Sequence, residues 1–125
     1  MGRTMTEVNI EYETGYDADR SVCVVLTTCP DEAVASRLAR AFVERGLAAC
    51  VTRIGGARSV YRWQGRIEED AEMQLVIKTR HECLEALRAL LGELHPYDEP
   101  EFLVLDAGGS REYLGWIEEV TEVAE

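Results

Sequence analysis

The chain has 125 residues, 46% of them hydrophobic and 30% charged. That balance suits one globular domain and excludes a disordered or fibrous whole. Its 13 Lys and Arg stand against 24 Asp and Glu, a net charge of −11, which repels a phosphate backbone or an anionic leaflet and argues against nucleic-acid and membrane partners.

Residues 1–20 are polar, acidic and without sustained periodicity, and they read as a flexible extension ahead of a single domain over 21–125. There is no charged-then-apolar leader, and the aliphatic runs of about five residues fall far short of the ~20 needed to span a bilayer. A soluble, intracellular protein is expected.

Residues 21–28, Ser-Val-Cys-Val-Val-Leu-Thr-Thr, are β-branched and nearly continuous in apolarity, as in a central strand covered on both faces. Pro30 and Asp31 punctuate the run. Val34, Leu38, Ala41 and Phe42 then recur at helical spacing over 33–45, with acids in the first turn and Gly46 at the C′ position. Small and β-branched residues return from Leu47 to Ile54, Gly55-Gly56 marks a bulge, and Val60 to Trp63 alternates large side chains. Gln64-Gly65 is a turn, and Ile67 to Thr79 runs back as the second half of a long antiparallel hairpin. The hairpin tip carries Arg62, Arg66, Glu68, Glu69 and Asp70, too polar for the chain's own core, so it predicts an oligomer closed through this arm.

Leu84, Leu87, Leu91 and Leu94 form one stripe of a second helix over 81–94, which Pro96 forbids from continuing past His95. A bonding role for His95 at the last carbonyls of that helix is one reading of its place. Phe102 to Leu105 is a short strand, Gly108-Gly109 a break, and Ser110 an N-cap for a last helix through Val120. The order β-α-β-β-α-β plus a terminal helix is an α+β, ferredoxin-like arrangement.

The four cysteines, Cys23, Cys29, Cys50 and Cys83, have no CxxC spacing, which disfavours a zinc ribbon or redox dithiol. Cys23 and Cys50 lie in apolar surroundings and read as small buried hydrophobes, whereas Cys29 lies where a strand ends. No Walker loop, G-x-S-x-G, HExxH or GxGxxG occurs, so catalysis is not expected. What remains is a metal-capable set: Cys29 as a soft ligand, His95 as a borderline one, and Glu72, Asp98 and Glu99 as hard ones. Repeating that set around a two-fold or three-fold axis strengthens a weak site. Tyr61, Trp63, Tyr97 and Trp116 can line a cleft, with Lys78, the only lysine, as a further contact, although buried aromatics more often serve packing.

Several ordered motifs carry a resemblance. They are Val25-Leu26-Thr27-Thr28-Cys29-Pro30-Asp31-Glu32, Leu47-Ala48-Ala49-Cys50-Val51, Ser59 to Glu69, Lys78-Thr79-Arg80, Leu94 to Pro100, and Tyr113-Leu114-Gly115-Trp116-Ile117. Together, from about Val22 to Val120, they resemble the CutA family of divalent-cation tolerance proteins. The resemblance implies a tight homotrimer held by intersubunit strand pairing, like that of the PII signalling proteins. It also implies a cytoplasmic location, a role in tolerance to copper and other divalent metals, and no settled enzymatic activity. In copper-binding members the ligands are a cysteine near the end of the first strand and a His-His pair before Pro-Tyr. Thr27 stands at the position of that cysteine, with Cys29 two residues on and on the same side of the strand. Leu94 replaces the first histidine, and His95 matches the second. A PII-like sensor with intersubunit clefts, and a structural trimer without a ligand, are the alternative readings.

Overall fold

The computed structural model describes residues 21–122, so the stretch 1–20, expected to be a flexible extension, lies outside the described residues. Strand β1 (Val22–Cys29) leads to helix α1 (Glu32–Glu44) and then to the hairpin strands β2 (Cys50–Trp63) and β3 (Arg66–Arg80). A 3-10 turn at His81–Cys83 opens helix α2 (Leu84–Leu94), followed by β4 (Leu103–Asp106) and α3 (Arg111–Val120). The four strands form one sheet in the order β2-β3-β1-β4, with antiparallel neighbours throughout. This is the α+β, ferredoxin-like architecture expected from element order.

Local chemistry sets the element ends. The Asp31 carboxylate accepts from the Val34 amide at 2.9 Å and the Ser110 hydroxyl from the Tyr113 amide at 3.3 Å, so both helices begin on N-caps. Helix α1 stops at Gly46, whose φ of 71° is the left-handed conformation a C′ residue requires. At the hairpin tip Gln64 and Gly65 both have positive φ, 51° and 79°, as a two-residue type I′ connection demands. The register shift between Ile54 and Ala57 is the bulge that Gly55-Gly56 predicts.

Two element starts and one burial pattern differ from the sequence reading. The second strand begins at Cys50 rather than Leu47, because the Leu47 and Ala48 amides both bond back to the Phe42 carbonyl and extend the helix exit. The second helix opens as a 3-10 turn because Arg80 is extended and offers no side-chain cap. β1 is central in the sheet, but its burial alternates, so only one face is fully covered.

That covered face holds the core. Val25, Cys29, Leu75 and Ile77 pack against Val34, Leu38 and Phe42 of α1 and Leu87, Leu90 and Leu91 of α2. The other face presents Val24, Leu26 and Val76, all half-buried, beside the exposed Ile54, Leu103 and Leu105. Their common face follows from the pairings Leu26 to Val76 and Leu103, Val76 to Thr52, and Val24 to Leu105. Helix α3 covers only the Val22 end of it, where Leu114 and Ile117 join Val22. The hairpin outruns the sheet: Arg66 to Glu72 of β3 lie beyond the first residue that pairs with β1, Met73. At about 3.4 Å per residue this arm projects more than ~20 Å.

Candidate functional site

The root of the arm, where β1 ends and the hairpin continues alone, gathers most of the polar chemistry. After α2, Pro96 turns the chain across the end of β1, and two side chains fix that turn. The His95 ring is buried, its Nε2 lies 2.8 Å from the Thr28 carbonyl oxygen, and its Nδ1 accepts from the Tyr97 amide at 3.1 Å. A carbonyl can only accept, so Nε2 carries the proton and the ring is neutral. The imidazole and the Tyr97 ring pack at a tilt of 55°, 4.7 Å between centroids. The His95 side chain does not bond the last carbonyls of α2, one reading of its place, but ties the helix exit to the first strand. Only its backbone amide caps the helix, on the Leu91 carbonyl at 2.8 Å.

Tyr97 extends this anchor. Its hydroxyl donates to the Glu72 carboxylate at 2.8 Å, and one step along the arm the Tyr61 hydroxyl donates to Asp70. Burial, the bond to Glu72 and the nearby carboxylates hold the Tyr97 phenol well above its ordinary value. The bond to Asp70 and the surrounding acids push Tyr61 up to about 12. Glu101 belongs to the same neighbourhood: burial, then the charge of Glu72, raises its carboxyl above the usual range. These oxygen donors stand at the junction of arm and sheet.

Cys29 lies at the edge of that junction but faces the core. It is fully buried and its thiol donates to the Asp31 carbonyl oxygen at 3.8 Å. Burial and the Asp31 charge push the thiol up, which favours the protonated form over the thiolate that binds metal. Thr27, two residues earlier, is also fully buried, and its Oγ1 is the one buried side-chain N or O atom without a partner among the described residues. No group of three or more His, Cys, Asp and Glu able to hold a metal ion occurs among the described residues. Asp98 and Glu99 line a different groove, of about 640 Å³, with Arg88 and Phe102.

The five cleft residues do not share one space within the chain. Tyr61 and Tyr97 bond carboxylates two positions apart on β3, Asp70 and Glu72, whereas Trp63 is 54% exposed at the hairpin tip. Lys78 lies on the uncovered sheet face, donating to the Thr52 hydroxyl at 2.8 Å and approaching the Cys50 sulfur at 3.8 Å. Cys50 is therefore half-exposed, not the buried hydrophobe its apolar neighbours suggest, since it begins an edge strand on that face. Trp116 packs at a tilt against Tyr113 along the outside of α3, 5.5 Å between centroids. Sequence reasoning missed the contribution of Asp70 and Glu101 to the arm root, and Asp70 was legible in the alternation that puts it on one face with Glu72.

A groove of about 270 Å³ lies between α1 and the first residues of β2, lined by Ser36, Ala39, Arg40, Val43, Val51 and Arg53. It runs beside the outer edge of β2, which has no strand partner in the sheet order. At the opposite edge β4 exposes Leu103, Val104 and Leu105. Exposed apolar edge strands are templates for pairing with another chain. No helix among the described residues is long and apolar enough to cross a membrane.

Comparison with known proteins agrees with this geometry. The family model described as CutA1 divalent ion tolerance protein matches residues 23–120. A relative from Pectobacterium atrosepticum, named divalent-cation tolerance protein CutA, is 47% identical over 104 residues, covering 80% of this chain and 94% of its own. The solved structure of the divalent cation tolerance protein from Thermus thermophilus superposes with a TM-score of 0.79 at 46% identity, covering 81% of this chain and 99% of that one. CutA from Xylella fastidiosa superposes with a TM-score of 0.80 at 43% identity, covering 82% and 99%. With its ferredoxin-like sheet, its long hairpin arm and a family match over residues 23–120, the chain belongs to the CutA family of divalent-cation tolerance proteins.

Proposed function

We propose that this chain serves divalent-cation tolerance as a single-domain, non-catalytic subunit of a closed cytoplasmic homotrimer that binds divalent metal weakly at its subunit junctions. The observation that carries the reading is the incompleteness of one copy. The sheet has a half-apolar face without a helix over most of it, an apolar edge at β4, a grooved edge at β2 and a two-stranded arm that no third strand joins among the described residues. Pairing the β4 edge of one copy with the β2 edge of the next joins different surfaces, a head-to-tail contact that closes into a ring when the rotation allows. The apolar β4 residues then meet Val51 and Val43 along the groove.

Metal binding in this reading falls to hard oxygen donors at the arm root, Glu72 first, with Asp70 beside it. One copy supplies too few ligands for a tight site, and oxygen donors suit cations such as manganese or magnesium. Weak binding by a trimer fits tolerance, where a cation is buffered and released. Calorimetric titration of manganese(II) tests it: the full chain binds weakly and Glu72→Gln binds more weakly still, whereas identical isotherms remove Glu72 from the reading.

One observation favours a second reading, a PII-like sensor. Lys78 presents its ammonium group on the uncovered sheet face, where it can meet an anionic small molecule. A thermal-shift screen over nucleotides and anions selects this reading if such a ligand, and no metal, raises the melting temperature.

A further inference from the structure

The soft-donor pair that residue chemistry nominates for copper does not fit a metal in this fold. A ligating histidine offers a ring nitrogen lone pair to the metal and gives its other N–H to a carboxylate, carbonyl or water. His95 has the second half of that pattern, with Nε2–H on the Thr28 carbonyl, but its Nδ1 lone pair is already filled by the Tyr97 amide at 3.1 Å. Only 6% of the residue is exposed. A metal at Nδ1 displaces that amide and leaves a backbone N–H without its partner, and a metal at Nε2 requires the ring to drop its bond to β1.

Cys29 is closed in a different way. Its side chain points into the layer between the sheet and α1, in contact with the core formed by Val34, Leu38 and Leu75, and it is fully buried. Forming the thiolate there strands a charge beside the Asp31 cap, which is itself committed to the Val34 amide. Thr27, the preceding residue on the same face of β1, offers only a neutral hydroxyl, which lacks the softness and charge that select copper.

We infer that Cys29 and His95 are closed to metal in this chain, and that His95 serves instead as a hydrogen-bonded clamp, tying the exit of α2 to β1 and seating Tyr97 on Glu72. The inference rests on the weak, oxygen-based metal binding proposed above and specifies its cation class: hard divalent ions bind without the soft pair, and copper has no thiolate-imidazole seat. The clamp also accounts for the histidine preceding Pro96-Tyr97: Pro96 bends the chain so that the Tyr97 amide reaches back to the ring of the residue two positions before it.

Zinc(II) is the probe, because it is redox-inert and accepts both thiolate and imidazole. The full chain, with Cys50→Ser to remove the half-exposed thiol, is labelled with nitrogen-15 at its histidines and titrated with zinc. The expected result is that His95 keeps the neutral Nε2–H tautomer and its resonance positions through saturation, and that Cys29→Ser changes zinc affinity by less than about twofold. A shift of the His95 Nδ1 or Nε2 resonance that saturates with zinc, or a loss of about tenfold or more in affinity on Cys29→Ser, overturns the inference. Cobalt(II) gives an independent readout: a thiolate-to-cobalt charge-transfer band that disappears in Cys29→Ser also overturns it. If neither zinc nor manganese binds at all, the proposed metal role fails while the closure of Cys29 and His95 stands.

Discussion

The Tyr97 hydroxyl donates to the Glu72 carboxylate at 2.8 Å across 25 positions of sequence, and this contact joins the turn after α2 to the root of the hairpin arm. Glu72 is only 9% exposed, so its charge depends on partners rather than on water. Tyr97→Phe removes the donor and keeps the ring. Because a bond to a charged group is lost and an acceptor is left buried, we expect a cost of about 1–3 kcal/mol, read from urea or thermal unfolding. A variant as stable as the parent removes the contact from the account of the arm.

The acid cluster gives stability a pH dependence whose sign is fixed by Glu101. Burial and the charge of Glu72 raise its folded value above the ordinary 4.5. A carboxyl raised on folding contributes stability that is fully present below its unfolded value and lost as pH rises through its folded value. Melting temperature measured upward from pH 4.5 should therefore carry a declining contribution that Glu101→Gln abolishes, and the variant should be the more stable at neutral pH. Parallel profiles for the two proteins contradict this assignment.

The start of α1 depends on one side chain. Asp31 accepts from the Val34 amide at 2.9 Å, and Cys29 bonds the carbonyl of the same residue. Replacing Asp31 with Ala should cost about 0.5–2 kcal/mol, as loss of a helix N-cap does, while Asp31→Asn should recover most of it. Circular dichroism melts of the three proteins check both values.

In the core, Phe42 is fully buried at the centre of the cluster that α1 and α2 form over the sheet. Phe42→Ala should destabilise by about 3–5 kcal/mol, with a cavity left where the ring packs on the helix face of the sheet. The same truncation at Trp63, exposed at the hairpin tip, should cost a separated subunit little. A similar cost at both positions in dilute, dissociated protein removes the distinction between core and arm.

Much of the fold was legible because it is locally encoded. Asp31 and Ser110 as caps, Gly46 past the helix end, Gln64-Gly65 as the turn and Gly55-Gly56 as the bulge all act within a few residues of themselves. What stayed illegible involves distance. His95 meets the Thr28 carbonyl 67 positions away, a partner no local pattern names. Apolar neighbours made Cys50 look buried, yet its place at the start of an edge strand exposes it beside Lys78. Tyr61, Trp63, Lys78, Tyr97 and Trp116 share aromatic or cationic chemistry, but strand register and helix placement distribute them over separate parts of one chain.

Leu105 is 51% exposed on β4, and a lysine there both charges the edge and opposes the burial that strand pairing requires. Leu105→Lys should leave the single-chain fold intact by circular dichroism and shift the protein toward smaller species.

The number of copies in solution decides whether neighbouring chains complete the sheet. Sedimentation equilibrium of the full chain at micromolar concentration should return three times the 14.0 kDa chain mass, with Leu105→Lys returning a smaller value. A parent protein that sediments as a single 14.0 kDa chain contradicts the claim that the bare sheet face, the free edges and the arm are completed by neighbouring copies.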